Sequence, residues 1–388
     1  MFSYKYRIKV EGEIIEKSNK IGPFDELLGD YNIEADNLYG KILVYKTTGD
    51  IMFGQITKEL TTCLNDINKL NFELVNLREI GSEVIHTENT SYRGFSYLEL
   101  NGWVIELRLK NSYKKLYEEL KEYGGFAQTH EGTVYRKDKS SFDFMEVRAT
   151  MEELFSYLSF TCGRRIYPSY YKGDKNGNTV YQRYEARLID QWSTPHTWYP
   201  KIEKEIYQDL FEGYYSLWQH EVWKPSKNIL LGTYLECFSQ VTLENRISSI
   251  QIALELITRV YLVNYKCVIS NRKFKKMDTK ERFKLLCTNM EISLEHPIEF
   301  LERRNGNFND PISFFVDIRN SLVHSKKKIE LSHNNLVSAY YIGLWLLELC
   351  FLRLFNYYGK YKNRLSKSNW EGDVDLGGCY YLVPWHNH

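Results

Sequence analysis

The chain has 388 residues, with 51 lysines and arginines against 50 aspartates and glutamates, and 15% of it is aromatic. This length predicts two domains with ample core, and the aromatic content excludes a disordered polypeptide. A net charge of +1 excludes a globally basic nucleic-acid binder, so any phosphate binding has to come from a local patch.

Met1 to Arg7 alternates like a strand and carries no apolar signal segment. The seven cysteines, an odd number without a CxxC pair, predict reduced thiols and a cytoplasmic setting. From the start to about residue 200 the chain reads as β-rich. Tyr4–Ile15, Lys41–Tyr45, Met52–Ile56, Phe72–Leu77 and Val84–His86 are short β-branched and aromatic runs between turn formers. Tyr97–Leu109 predicts a hairpin turning at Asn101-Gly102. A second hairpin turn falls at Asp174–Asn178, followed by a strand from Val180 to Leu188. Helices are expected over Ser112–Tyr123, before Gly124-Gly125, and over Val147–Cys162, before Gly163.

Arg164, Arg165, Arg183 and Arg187 are expected to be solvated edges of strands and turns rather than phosphate ligands. Trp192, His196, Trp198 and Tyr199, set around Pro195 and Pro200, read as aromatic filling of a domain junction. His86, His130 and His220 have no second ligand at a useful spacing, so no metal site is expected.

From about Lys201 the period changes from two to 3.6, which predicts an all-helical second domain over residues 201–365 and a tail over 366–388. Ile202–Val222 is amphipathic, closed by Trp223-Lys224-Pro225. Leu230–Tyr265 reads as one long helix or two in close succession. Asp278-Thr279-Lys280-Glu281 is a capping box opening a helix over Arg282–Met290. After a short turn at Glu299–Arg304, Asp310 and Pro311 mark the start of another helix, as N-cap and first helical residue. In it Phe314, Ile318 and Leu322 form a core stripe. Val316 and Val323 form a second apolar patch, and Asp317, Asn320 and His324 share a polar face. The apolar run Leu336–Leu352 is short for a bilayer span and contains Glu348, so it reads as a buried bundle helix, continuing to Tyr358 with Gly359 as terminator. The class expected is α+β, a β-rich N-terminal domain before a helical bundle.

Leu243-Glu244-Asn245-Arg246, Ala253-Leu254-Glu255 with Arg259, Glu281-Arg282-Phe283-Lys284-Leu285-Leu286 and Val316-Asp317-Ile318-Arg319-Asn320-Ser321-Leu322-Val323-His324 together resemble the HEPN helical bundle. They are most similar to the ApeA-like HEPN proteins of bacterial anti-phage defence. The resemblance covers Leu235 to Gly359. Over the N-terminal half only the order of a β-rich domain before the bundle is shared. The family signature is an Arg, often followed by a polar residue, then a short spacer and a His. By that resemblance Arg319 and His324 are the catalytic pair and Asn320 the supporting polar group.

The activity implied is cleavage of RNA, with tRNA the substrate suggested by resemblance, without metal or cofactor. The 2′-OH attacks the adjacent phosphorus and the 5′-oxygen leaves, giving a 2′,3′-cyclic phosphate and a 5′-hydroxyl. His324 moves protons near neutral pH, and Arg319, always charged, stabilises the phosphorane oxygens. Lys326, Lys327 and Lys328 supply charge for RNA, or form a solvated helix end. At 100° per residue Arg319 and His324 stand about 140° apart, which predicts a homodimer that brings two copies of the helix together.

The resemblance further implies abortive-infection defence, with the N-terminal domain sensing a phage-derived trigger; no membrane association is expected. Other readings of the same residues are an Arg319 ion pair with Asp317 or Glu255, and a His324 that meets the helix dipole. A second functional class is an inactive HEPN module that only dimerises, or pairs with another protein or RNA.

Overall fold

The structure is a computed structural model. It describes residues 9–13, 29–35, 38–48, 51–62, 66–80, 83–86, 91–193, 197–199, 205–304, 310–323, 331–367 and 379–386. The chain divides into two compact units, residues 1–158 with 165–194, and residues 159–164 with 195–388.

The first unit holds strands β1 (Lys9–Glu13), β2 (Gly29–Ala35), β3 (Leu38–Thr48), β4 (Ile51–Thr61), β5 (Lys69–Val75), β6 (Glu83–His86), β7 (Ser91–Leu100), β8 (Trp103–Leu109), β9 (Gln128–Arg136), β10 (Pro168–Lys175) and β11 (Asn178–Glu185). It also holds helices α1 (Tyr113–Tyr123) and most of α2 (Phe144–Cys162), whose residues from Ser159 count with the second unit. All eleven strands form one antiparallel sheet ordered β2-β3-β4-β11-β10-β5-β9-β8-β7-β6, with β1 against β4. The two expected hairpin turns are present, and each has positive φ at both central residues. Asn101 and Gly102 sit at 51° and 80°, Asn176 and Gly177 at 51° and 84°, the backbone that a two-residue hairpin needs.

Helix α2 covers the sheet through Phe144, stacked on Tyr181, and Phe155, edge-on to Phe72. The sequence had not marked β9, because it reads as polar; its Thr129 and His130 are nonetheless fully enclosed. Thr129 Oγ1 donates to Leu77 O at 3.0 Å, and His130 Nδ1 lies 3.1 Å from that hydroxyl. Gly132 on the same strand leaves space that the Phe72 ring occupies.

The arginines expected at solvated edges are not there. Arg183 is buried, donates to Glu185 at 2.8 Å and to Glu59, and lies 4.7 Å over the Phe144 ring. Arg187 is half-buried and holds the other Glu185 oxygen at 2.9 Å and also Glu152. Burial alone would raise the Glu185 carboxyl, but the two guanidiniums hold it below the ordinary range. Arg164 is buried as well, whereas Arg165 is half-buried and pairs with Asp190 at 3.2 Å. Arg183 and Arg187 turned inward because each met a carboxylate from a distant strand or helix, Glu59 and Glu152, a match that local sequence does not display. Trp192 packs on Tyr117 in the first unit and Trp198 on Phe160, Tyr199 and Tyr357 in the second; Pro195, His196 and Pro200 lie outside the described residues.

The second unit is helical: α3 (Glu205–Gln219), α4 (Lys227–Glu236), α5 (Leu243–Arg259), α6 (Asn271–Lys276), α7 (Thr279–Met290), α8 (Glu295–Arg303), α9 (Pro311–Val323) and α10 (His333–Leu354). Strands β12 (Lys360–Lys362) and β13 (Tyr380–Leu382) pair beside them. The stretch Leu230–Tyr265 is two helices, because Thr242 caps a fresh start by accepting from Asn245 N; a π-helical turn, Val260–Tyr265, then ends the second. The capping box of Asp278 and Glu281 is formed in both directions.

Helix α10 is long and apolar enough to cross a membrane by composition, yet 78% of its apolar window is buried within the protein. Glu348, in its middle, accepts from Arg364 Nε at 2.8 Å and from the Tyr234 hydroxyl at 3.2 Å. It therefore sits as the core helix of the bundle. It ends at Leu354, and Asn356, at φ 54°, takes the left-handed position expected of Gly359. The described end of the expected tail is packed instead of trailing: Cys379 and Trp385 are buried, and Trp385 Nε1 donates to Tyr357 O at 2.7 Å.

Candidate active site

Helix α9 begins as its sequence dictates. Asp310 accepts from Ser313 N at 3.0 Å and from Ser313 Oγ at 2.6 Å, with Pro311 at the first helical position. Partial burial would raise the Asp310 carboxyl, but Lys284, at 2.5 Å, and Ser313 together hold it below its ordinary value.

The helix is more enclosed than a two-patch surface helix. Phe314, Phe315, Val316 and Ile318 are all buried. Val316 belongs to this core while Val323 is 55% exposed, so the two do not form one patch, and Leu322 is only half-buried. Close approach to α10 is set by Gly343, where a Cβ would stand 2.4 Å from the Phe315 ring and 3.0 Å from Ile250 of α5.

Two lysines of α7 hold two acids of α9. Lys280 Nζ lies 2.7 Å from Asp317 Oδ2, and Lys284 reaches Asp310. The lysines are four residues apart and the aspartates seven, in opposite order, so the helices run antiparallel along this seam. Sequence reasoning missed these braces; the only signal was the helical spacing of each set.

Arg319 and Asn320 stand on the last turn and a half of α9, both half-buried. Arg319 Nη1 lies 3.4 Å from Asn320 Oδ1. Neither ion pair suggested for Arg319 is formed among the described residues, because Asp317 is held by Lys280 and Glu255 accepts from Gln251 at 2.6 Å. Arg319 Nε is buried and has no hydrogen-bond partner among the described residues. The helix thus delivers a guanidinium beside a carboxamide, with no carboxylate spent on it. His324, Lys326, Lys327 and Lys328 lie outside the described residues. No group of three or more His, Cys, Asp or Glu side chains suited to a metal occurs among the described residues.

Comparison with known families finds a match for a part of each half of the chain. Residues 64–195 match the family model of the YopA central domain and residues 220–375 that of the YopA C-terminal domain. Among curated proteins, the chain is similar to the SPbeta prophage-derived uncharacterized protein YopA of Bacillus subtilis (strain 168). The two are 28% identical over 397 residues, covering 99% of this chain and 89% of that protein. Neither family model nor that relative carries a HEPN description. No solved structure matches.

Proposed function

We propose that the chain is a metal-independent endoribonuclease of HEPN type, with Arg319, Asn320 and His324 as its cleaving groups. The supporting observation is Arg319 itself, a half-buried guanidinium with no carboxylate partner among the described residues and an Nε left without an acceptor. A guanidinium enclosed in this way usually has a carboxylate beside it; one without is suited to a bound phosphate. In the proposed reaction His324 moves the proton between the 2′-OH and the leaving 5′-oxygen, Arg319 meets the phosphorane charge, and Asn320 orients ring or phosphate.

A second copy of the chain completes the site, since the helical period, if continued past Val323, would set Arg319 and His324 about 140° apart. Exposed Val323 at the end of α9 offers apolar surface for that contact. The prophage origin of that relative fits a cytoplasmic role in anti-phage defence, with the sheet unit receiving a phage-derived trigger. The alternative, a bundle that only pairs with a second protein or an RNA, uses the same Val323 surface without chemistry. Incubating purified protein with total RNA in EDTA, with the product ends mapped, separates the two. Cyclic-phosphate and 5′-hydroxyl ends are expected for the nuclease and uncut RNA for the pairing module.

A further inference from the structure

Between Lys266 and Lys284 the chain carries eight lysines and arginines against two acids. That is an excess of six positive charges in a chain of net charge +1, so the remainder of the protein is net negative. Half of the eight bases have structural partners. Arg282 Nε donates to Phe274 O at 3.0 Å and its guanidinium covers the Phe274 ring, tying α6 to α7. Lys280 and Lys284 bind the two acids of α9, and Lys266 lies 4.9 Å from the centroid of the Tyr265 ring.

The other four, Arg272, Lys273, Lys275 and Lys276, are exposed on α6 and have no acidic partner among the described residues. Both acids of the stretch are engaged elsewhere, Asp278 and Glu281 each accepting from the other's backbone N–H in the capping box. The only buried side chain of α6 is Phe274. Counted from it at 100° per residue, the four bases all lie at least about 100° away, with Arg272 and Lys276 near the outermost line. The whole outward face of this helix is therefore cationic.

We infer that the outward face of α6, formed by Arg272, Lys273, Lys275 and Lys276, is a docking surface for the phosphate backbone of single-stranded RNA. The ligand's identity rests on the reading of α9 as an RNA-cleaving helix, to which α7 couples this surface through Lys280 and Lys284. Three lysines and one arginine on an exposed helix face meet phosphate through charge, so they hold RNA and leave selection of the cut to α9. Bound phosphates release counterions, which makes this contribution strongly salt-dependent.

The test uses the full chain with Arg319→Ala to stop cleavage, and a labelled 20-nucleotide RNA followed by fluorescence anisotropy over a range of salt. Lys273→Glu, Lys275→Glu and Lys276→Glu together should weaken binding at least tenfold and make the salt slope shallower by about 2, at roughly 0.7 per lost phosphate contact. The same three charge reversals at Lys114, Lys115 and Lys121, exposed on α1, should leave affinity and slope unchanged. Equal losses from both triple variants would show that net charge alone matters and would overturn the inference. So would an unchanged α6 variant, or a parent chain that binds phosphatidylserine vesicles and not RNA. Lysine-to-glutamine replacements at the same three positions give the same readout if charge reversal prevents folding. If RNA binds through α6 but the unmutated chain never cuts it, the docking surface stands and the nuclease reading falls. If the chain cuts RNA and the α6 variant binds and cuts normally, the reverse holds.

Discussion

Lys280 and Asp317 meet at 2.7 Å across the seam between α7 and α9. The contact sets the rotation of the helix that carries Arg319, because Asp317 precedes it by two residues on a different face. Both partners keep partial access to water, with side chains 27% and 17% exposed. Their pairing energy is accordingly modest, about 0.5–1 kcal/mol. A double-mutant cycle of Lys280→Ala and Asp317→Ala should return a coupling of that size, lower in high salt. No measurable coupling would mean that core side chains alone orient α9.

Those core side chains should respond far more strongly. Gly343→Ala places a methyl against the Phe315 ring and Ile250, both buried, and should cost about 1–3 kcal/mol by overpacking. Gly232→Ala in α4 is the matched control. Its new methyl meets nothing within 4 Å, so it should stabilise by about 0.5–1 kcal/mol through helix propensity. Thermal midpoints of the two variants should therefore move in opposite directions; a shift of the same sign in both would contradict the fit described for α9 and α10.

His130 gives the sheet unit an acid weakness. The ring is fully buried, and desolvation pushes its pKa down from 6.5 to about 3. Thr129 Oγ1 is already a donor to Leu77 O, so it accepts from His130 Nδ1–H; Nε2 has no partner among the described residues. The folded state therefore holds the neutral ring, while the unfolded chain takes up a proton below about pH 6.5. Stability contributed by this group is complete above that pH and falls by about 1.4 kcal/mol per unit as the pH drops toward 3. His130→Gln should flatten the pH dependence of unfolding between pH 6 and 4 relative to the parent. Parallel curves would show that the ring is hydrated.

In the bundle, Arg364→Met should be severe. It leaves the Glu348 carboxyl buried inside α10 without a cation, beside the Tyr234 hydroxyl and the Trp198 backbone. Breaking a buried pair from one side costs about 3–5 kcal/mol. Replacing both residues, Glu348→Leu with Arg364→Met, should recover much of that loss in a denaturant titration. A double variant no better than the single one would assign the pair a positional role in closing the β12–β13 end of the unit.

What the sequence made legible was mostly local. Asp310-Pro311, the Asp278–Glu281 capping box and the two Asn-Gly hairpin turns each lie within a few residues of their own partners. The α+β class followed from the change of hydrophobic period near residue 200. Long-range matches were hidden. Arg183 finds Glu59 across 124 positions and Lys280 finds Asp317 across 37, so charges that read as solvated turned inward or braced α9. Strand β9 was concealed for the same reason, since its Thr129 hydroxyl bonds a loop carbonyl and His130 Nδ1 bonds that hydroxyl, matches that local sequence does not show. In the candidate site the sequence pointed to Arg319 and Asn320, and the contacts show what each touches. The exchange of Asp317 from Arg319 to Lys280 depends on how α7 and α9 are aligned, which no spacing within α9 encodes.

The central claim is that a 2′-hydroxyl attacks its own phosphodiester at a site built from Arg319, Asn320 and His324. The direct measurement is cleavage, in EDTA, of an oligonucleotide spanning a mapped cut, compared with the same strand carrying one 2′-O-methyl group at that nucleotide. The account predicts that the unmodified strand is cut to a 2′,3′-cyclic phosphate and a 5′-hydroxyl, that the methylated strand stays intact, and that Arg319→Ala and His324→Ala abolish the reaction while leaving the thermal midpoint nearly unchanged. Cleavage of the methylated strand, or full activity in either variant, would contradict it.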